Sequence, residues 1–138
     1  MRITHSAAQS RRIAATLAQR LRAGQCIALH GELGAGKTEF VRGLVQGLGG
    51  KGRVVHSPTF VLLNVYSTRR MNVYHLDAYR VAAADDFSAI GFEELLEQNG
   101  LVVVEWADRV AGILPPNCVE VNIESLGTTR RRIRIRVP

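Results

Sequence analysis

The stretch "ALHGELGAGKTEFVRGL", residues 28–44, constrains the fold of this chain more than any other. A short apolar run, "CIALH", leads into a loop with glycines at 31, 34 and 36, then Lys37 and Thr38, and an amphipathic pattern follows at once. Gly31, Gly36, Lys37 and Thr38 satisfy G-x-x-x-x-G-K-[ST]. Glycines allow the backbone to curl with its N–H groups inward and no side chain in the way. A helix opening directly after such a loop adds the positive end of its dipole, so the loop is suited to hold phosphate. The motif predicts a cradle built from Gly31, Glu32, Leu33, Gly34, Ala35, Gly36, Lys37, Thr38 and Glu39. In it Lys37 reaches the β and γ phosphates of a nucleotide and the Thr38 hydroxyl ligates Mg²⁺. Glycine-rich turns before helices are common, but a chance match to the full motif in a chain of this length is about one in two hundred. The strand before it and the helix after it are what its chemistry requires.

The rest of the chain supplies a sheet to carry that loop. "SAAQSRRIAATLAQRLRAG" reads as a helix, with Ile13, Leu17 and Leu21 at four-residue spacing, Ser6 as N-cap and Gly24 as stop. "KTEFVRGLVQGL" places Phe40, Val41, Leu44, Val45 and Leu48 on one helical face. "SPTFVLLNVY" and "MNVYHLDAY" read as two strands joined by the polar turn "STRR". "DDFSAIGFEELLEQNG" reads as one helix or two short ones, and "LVVVEW" as a strand buried on both faces, as in parallel sheets. A short helix around "ADRVAGIL" follows, and "CVEVNI" and "RRIRIRV" close the chain as a hairpin. This order predicts an α/β fold: one domain over residues 1–138, a mainly parallel central sheet flanked by helices, and antiparallel strands at its edges.

Composition narrows the classes. With 138 residues, 46% hydrophobic and 22% charged, the chain reads as an ordinary globular protein with one core. No apolar run approaches the ~20 residues of a spanning helix, and "MRITHSAAQSRR" has no signal-peptide segment, so the expected location is cytoplasmic, with no membrane partner. Cys26 and Cys118 have no metal-ligand spacing and read as small buried hydrophobes in a reducing compartment. The net charge of +6 is concentrated in the last nine residues, "RRRIRIRVP", which hold five arginines. A basic tail can mean nucleic acid, but "RIRIRV" alternates strictly, so it is expected as a solvated edge strand with one apolar and one arginine face.

A Mg²⁺–nucleotide site also needs an acidic residue at a strand end, to hold the metal or its waters. Two are available: Glu105 closes "LVVVE", the shape of a Walker B strand, and Asp77 closes "VYHLD". His30 abuts the phosphate loop and His75 lies two residues before Asp77; both are expected to be structural. Arg80 and Arg109 are the internal arginines that could reach a γ-phosphate.

Read together and in order, "GELGAGKT", "SPTF", "YHLDAYR" and "EWADR" resemble the bacterial TsaE family, also called YjeE, of tRNA threonylcarbamoyladenosine biosynthesis ATPases. The resemblance runs from about Ser10 to Arg109. It implies a single-domain P-loop ATPase that turns ATP into ADP and phosphate with Mg²⁺. It also implies work with the partners TsaB and TsaD, and with the TsaC-type enzyme that makes threonylcarbamoyl-AMP, to install the threonylcarbamoyl group on adenosine 37 of tRNAs reading ANN codons. The tRNA is met through the complex.

By position, the resemblance implies that Lys37, Asp77 and Glu105 are catalytic, that Thr38 and Glu105 coordinate Mg²⁺, and that Thr59 of "SPTF" lies near the γ-phosphate. Trp106 is implied to pack beside the nucleotide cleft. The family's first helix usually carries Thr and then Gly four residues later. Here Ser10 and Ala14 stand there, and Ser10 keeps a hydroxyl for nucleotide contact. After Lys-Thr comes Glu39 in place of a small polar residue, and it is expected to face solvent where the helix dipole favours it. Two other readings use the same loop: a nucleotide-sensing binding module in which hydrolysis is incidental, and a small-metabolite or nucleoside kinase. For the kinase the chain offers no segment long enough for a lid.

Overall fold

The structure, a computed structural model, describes residues 1–32, 34–55, 63–78 and 91–138, the side chain of Arg109 excepted. In chain order the elements are β1 (Arg2–Thr4), α1 (Ala7–Ala18), β2 (Cys26–His30), α2 (Lys37–Gly47), β3 (Leu63–Tyr66), β4 (Asn72–Asp77), α3 (Phe92–Glu97), β5 (Gly100–Glu105), β6 (Val119–Ser125) and β7 (Arg131–Arg136). Short 3₁₀ turns lie at Gly52–Val54 and Ala107–Ile113. The first part of the strand expected from Ser57 and the first part of the helical stretch expected before Gly91 lie outside the described residues.

Two apolar runs without alternation form the middle of a seven-stranded sheet of order β1-β7-β6-β2-β5-β4-β3. β2 and β5 pair in parallel, Ile27 opposite Val103, and every residue of β5 is buried. β6 joins β2 and β4 joins β5, also in parallel. Both margins are antiparallel: β3 on β4, β7 on β6 and β1 on β7. The expected α/β architecture, parallel in the centre and antiparallel at the edges, is the one observed.

The period of two in the strands sorts the core into two layers. Ile27, Leu29, Leu101 and Val103 face one side, where α1 and α2 cover them with Leu17, Phe40, Val41, Leu44 and Val45. Cys26, Ala28, Val102 and Val104 face the other, against Phe92, Ala107 and Val110. The five residues expected on the apolar face of α2, Phe40, Val41, Leu44, Val45 and Leu48, are all fully buried. α1 and α2 cross closely because Gly43 and Gly47 face Arg11, Ala14, Ala15 and Ala18 with no Cβ between.

Two expectations need correction. The first helix starts on its Ser6 cap, whose hydroxyl accepts from the Gln9 N–H, but it ends at Ala18 rather than running to Gly24. Leu21 fills the core from the turn that follows. There the guanidinium of Arg70 donates to the Ala18 and Leu21 carbonyls, both at 3.1 Å, and so takes up the carbonyls that a helix end leaves open. The arginine-rich strand is also not an edge: β1 pairs along its outer side, Ile3 opposite Arg132. Cys26 and Cys118 lie buried as free thiols, and the hydrogen bond they share, with burial, pushes the Cys26 thiol up. Among the described residues no helix is long and apolar enough to cross a membrane.

Candidate phosphate site

The parallel pairing of β6, β2, β5 and β4 brings their C-terminal ends to one rim, and the glycine loop leaves β2 at that rim. Ligands of open α/β sheets gather at this rim. At Gly31 a Cβ would stand 2.8 Å from the Ile123 carbonyl oxygen, so only glycine lets the loop lie against β6. Gly36, at φ 103°, occupies the N-cap of α2 in the left-handed region. The Ala35 N–H is taken inside the loop, donating to the Glu32 carbonyl at 3.0 Å. The amides of Gly36, Lys37, Thr38 and Glu39 are the leading donors of α2, which a helix cannot satisfy from within.

Lys37 is the centre of the arrangement. It is only 6% exposed. Its Nζ donates to the Gly31 carbonyl at 2.7 Å, stands 4.0 Å from the centre of the Trp106 ring and lies 3.9 Å from Glu105 Oε1. Burial pulls its pKa below the ordinary lysine value, while Glu105, Asp77, Glu32 and Asp108 act in the opposite direction. Trp106 reaches the ammonium from a backbone at φ 57°, ψ 40°, a left-handed conformation that a bulky residue holds only where its surroundings enforce it.

The two acidic residues predicted for this site lie side by side in the sheet. Asp77 and Glu105 are register partners at the ends of β4 and β5, and the Ala78 N–H donates to the Glu105 carbonyl at 3.0 Å. Glu105 is 3% exposed, and its Oε2 is bonded to Nε2 of the fully buried His75. The other ring nitrogen, Nδ1, is 3.1 Å from the Tyr66 hydroxyl. A carboxylate only accepts, so His75 donates from Nε2 to Glu105, and its Nδ1 shares a hydrogen bond with the Tyr66 hydroxyl. His75, expected to be structural, is fully buried with both ring nitrogens bonded, one of them to the strand-end carboxylate. The period of two puts His75 and Asp77 on one face of β4, but the bond to Glu105 depends on how β4 and β5 pair, which carries no local signal.

A sequence profile of the family described as "Threonylcarbamoyl adenosine biosynthesis protein TsaE" matches residues 4–133. The chain belongs to the TsaE family. Among its curated relatives, a TsaE protein of Treponema pallidum is 39% identical over 133 residues, covering 96% of this chain and 97% of the relative. One from Rickettsia prowazekii is 37% identical over 131 residues, 95% and 90% of the two chains. The crystal structure of Bacillus subtilis YdiB superposes with a TM-score of 0.78 at 28% identity, over 99% of this chain and 84% of that one.

The remaining residues implied by the TsaE resemblance divide. Thr38 stands half-buried on the first turn of α2, beside Lys37. Ser10 is buried, and its hydroxyl lies 2.9 Å from that of Thr4, a bond that ties α1 to β1. Glu39 does not simply face solvent: its carboxylate is bonded to Arg11 at 2.6 Å and to Arg42. The close packing of α1 on α2 brings Arg11 to it, while Arg42 reaches it from one turn further along α2. Partial burial opposes the charge, but Arg11 and Arg42 outweigh it and hold the carboxyl below its usual range. His30, expected to be structural, is bonded to Glu120 at 2.7 Å. Leu33, Thr59, Tyr79 and Arg80 lie outside the described residues, as does the side chain of Arg109. One contact had no sequence signal: Arg131 of β7 donates from Nε to the Ala35 carbonyl at 2.7 Å.

The donors suit Mg²⁺. The Thr38 hydroxyl and the Glu105 and Asp77 carboxylates are hard oxygen ligands. Among the described residues no group of three or more His, Cys, Asp or Glu side chains is gathered for a metal. An ion here would complete its shell from phosphate and water, which is how Mg²⁺ binds beside nucleotides.

Proposed function

We propose that this chain is a Mg²⁺-dependent ATPase whose hydrolysis of ATP to ADP and phosphate serves threonylcarbamoylation of adenosine 37 in ANN-decoding tRNAs. TsaB and TsaD are its protein partners, and tRNA is met through that complex. The observation that carries this reading is Lys37: a lysine desolvated over an indole, beside a buried carboxylate, at the start of a helix preceded by a glycine loop. An ammonium held beside the leading amides of a helix suits an anion, and a polyphosphate is the anion such a loop accommodates.

In this reading the loop glycines and the leading amides of α2 hold the phosphate chain, and Lys37 neutralises charge on its β and γ groups. Thr38 and Glu105 would hold Mg²⁺, which supplies charge neutralisation on the transferring phosphoryl group. Asp77 orients the attacking water or the water around the metal, and His75 keeps the Glu105 carboxylate aimed. With few groups of its own around the γ-phosphate, the protein turns over slowly alone and its partners complete the site.

The test is ATP hydrolysis by the purified protein, with and without TsaB and TsaD homologues. Lys37→Ala and Asp77→Ala should each lower turnover by roughly a hundredfold or more, as loss of a group stabilising transition-state charge does. Parental turnover in both variants would refute the assignment. Full tRNA modification through repeated cycles with a non-hydrolysable ATP analogue would instead favour a nucleotide-sensing module.

A further inference from the structure

A loop whose amides converge on an anion must turn carbonyls outward, and those carbonyls need donors. On the outer side of this loop they meet Arg131, the first residue of β7. Its Nε donates to the Ala35 carbonyl at 2.7 Å, and one terminal nitrogen reaches toward the Gly34 carbonyl at 3.4 Å. The other terminal nitrogen donates at 2.8 Å to both Gly127 and Arg130 carbonyls in the β6–β7 turn. The guanidinium is a planar fork with five N–H donors, so it can bridge two segments rigidly where a single amine could not. Its backbone is fixed on both sides, opposite Thr4 in β1 and Ser125 in β6. A Cβ added to Gly36 would lie 3.5 Å from its Nε.

The neighbouring Arg132 gives a contrast. Arg132 is bonded to the Glu124 carboxylate at 3.1 Å. Arg131 takes only carbonyls and, among the described residues, no carboxylate neutralises it. It therefore brings a full positive charge to the back of a loop read here as binding a polyphosphate.

We propose that Arg131 is a positioning residue for the phosphate loop: it fastens the outward carbonyls at 34 and 35 to the β6–β7 turn and so keeps the loop in its anion-binding form. The role rests on the nucleotide reading above. It also makes the turn at 126–130 a lever on the site, because displacing that turn releases the fork.

The experiment measures the dissociation constant of a fluorescent ADP analogue, with Mg²⁺, for the parent, Arg131→Ala, Arg131→Lys and Arg132→Ala, alongside melting without nucleotide. Absence of binding by the parent would defeat the nucleotide reading itself, separately from this inference. Given parental binding, Arg131→Ala should weaken it about tenfold or more, the scale of losing charge-assisted hydrogen bonds. Arg131→Lys keeps the stem and charge, and so the fold, but not the fork, and should remain weakened at least about threefold. Arg132→Ala should bind within about twofold of the parent. Parental affinity in Arg131→Lys would show that charge suffices and would overturn the role. Loss of affinity in Arg131→Ala that merely follows a loss of folded protein at the assay temperature would do the same.

Discussion

The buried relay from Tyr66 through His75 to Glu105 puts three polar side chains where water is scarce, and each depends on the next. Removing the phenol oxygen leaves His75 Nδ1 without that partner, whereas removing the imidazole leaves a carboxylate that is 3% exposed without the Nε2 donor. Orphaning a buried charged acceptor costs more than losing one neutral hydrogen bond. Tyr66→Phe should therefore lower unfolding free energy by about 1 kcal/mol, and His75→Leu by about 3 kcal/mol. Urea unfolding at neutral pH measures both; equal costs, or a stabilised His75→Leu, would contradict the relay. At this scale the sequence was readable where placement depends on contiguous residues, as in the glycine loop that opens α2, or on the last position of a strand, as in Asp77 and Glu105. His75 and Arg131 were not readable as site residues. Their partners are 30 and 96 positions away and are chosen by strand register and topology, which leave no local spacing to detect.

Among the elements, α2 was legible from its apolar face but not from its glycines. Gly43 and Gly47 lie inside a helix, where glycine is about 1 kcal/mol less favourable than alanine, so propensity alone would recommend replacing them. The crossing with α1 reverses that preference. A Cβ at Gly43 would stand 2.2 Å from the Arg11 carbonyl oxygen and 2.7 Å from the Ala14 Cβ, both on a packed backbone that cannot yield without moving the helix. Gly43→Ala should destabilise by about 1–3 kcal/mol, the usual cost of overpacking. Gly112→Ala is the control, since nothing lies within 4 Å of its added Cβ. A Gly43→Ala protein as stable as the parent would mean that the helices cross farther apart. Because α2 begins at Lys37, separating the two helices also tilts the amides that the proposed phosphate would meet, and nucleotide affinity should fall with stability in this variant alone.

At the scale of the whole molecule, the sheet places its candidate rim at the parallel centre, with antiparallel strands at its margins. Both hairpins were legible, because each has at least one strand of six or more residues and a polar turn between its arms. β1 was not: three residues carry no measurable period, and the N-terminal stretch reads from sequence only as the approach to a helix. Missing it made β7 look like an edge. The difference has a consequence, since β7 alternates Ile133 and Ile135 with arginines and would offer an apolar-faced ladder to any strand able to pair with it. A protein lacking residues 1–5 should bare that ladder, melt about 5 °C lower and self-associate in sedimentation velocity, while the parent does not. Deletion also removes the Thr4–Ser10 bond, so Thr4→Val separates the two effects: it drops the hydroxyl but keeps the strand, and should sediment as the parent does. If the truncated form also sediments as the parent, the arginines of β7 repel a second copy well enough unaided, and β1 serves to hold Arg131 in register opposite Thr4 rather than to guard the edge.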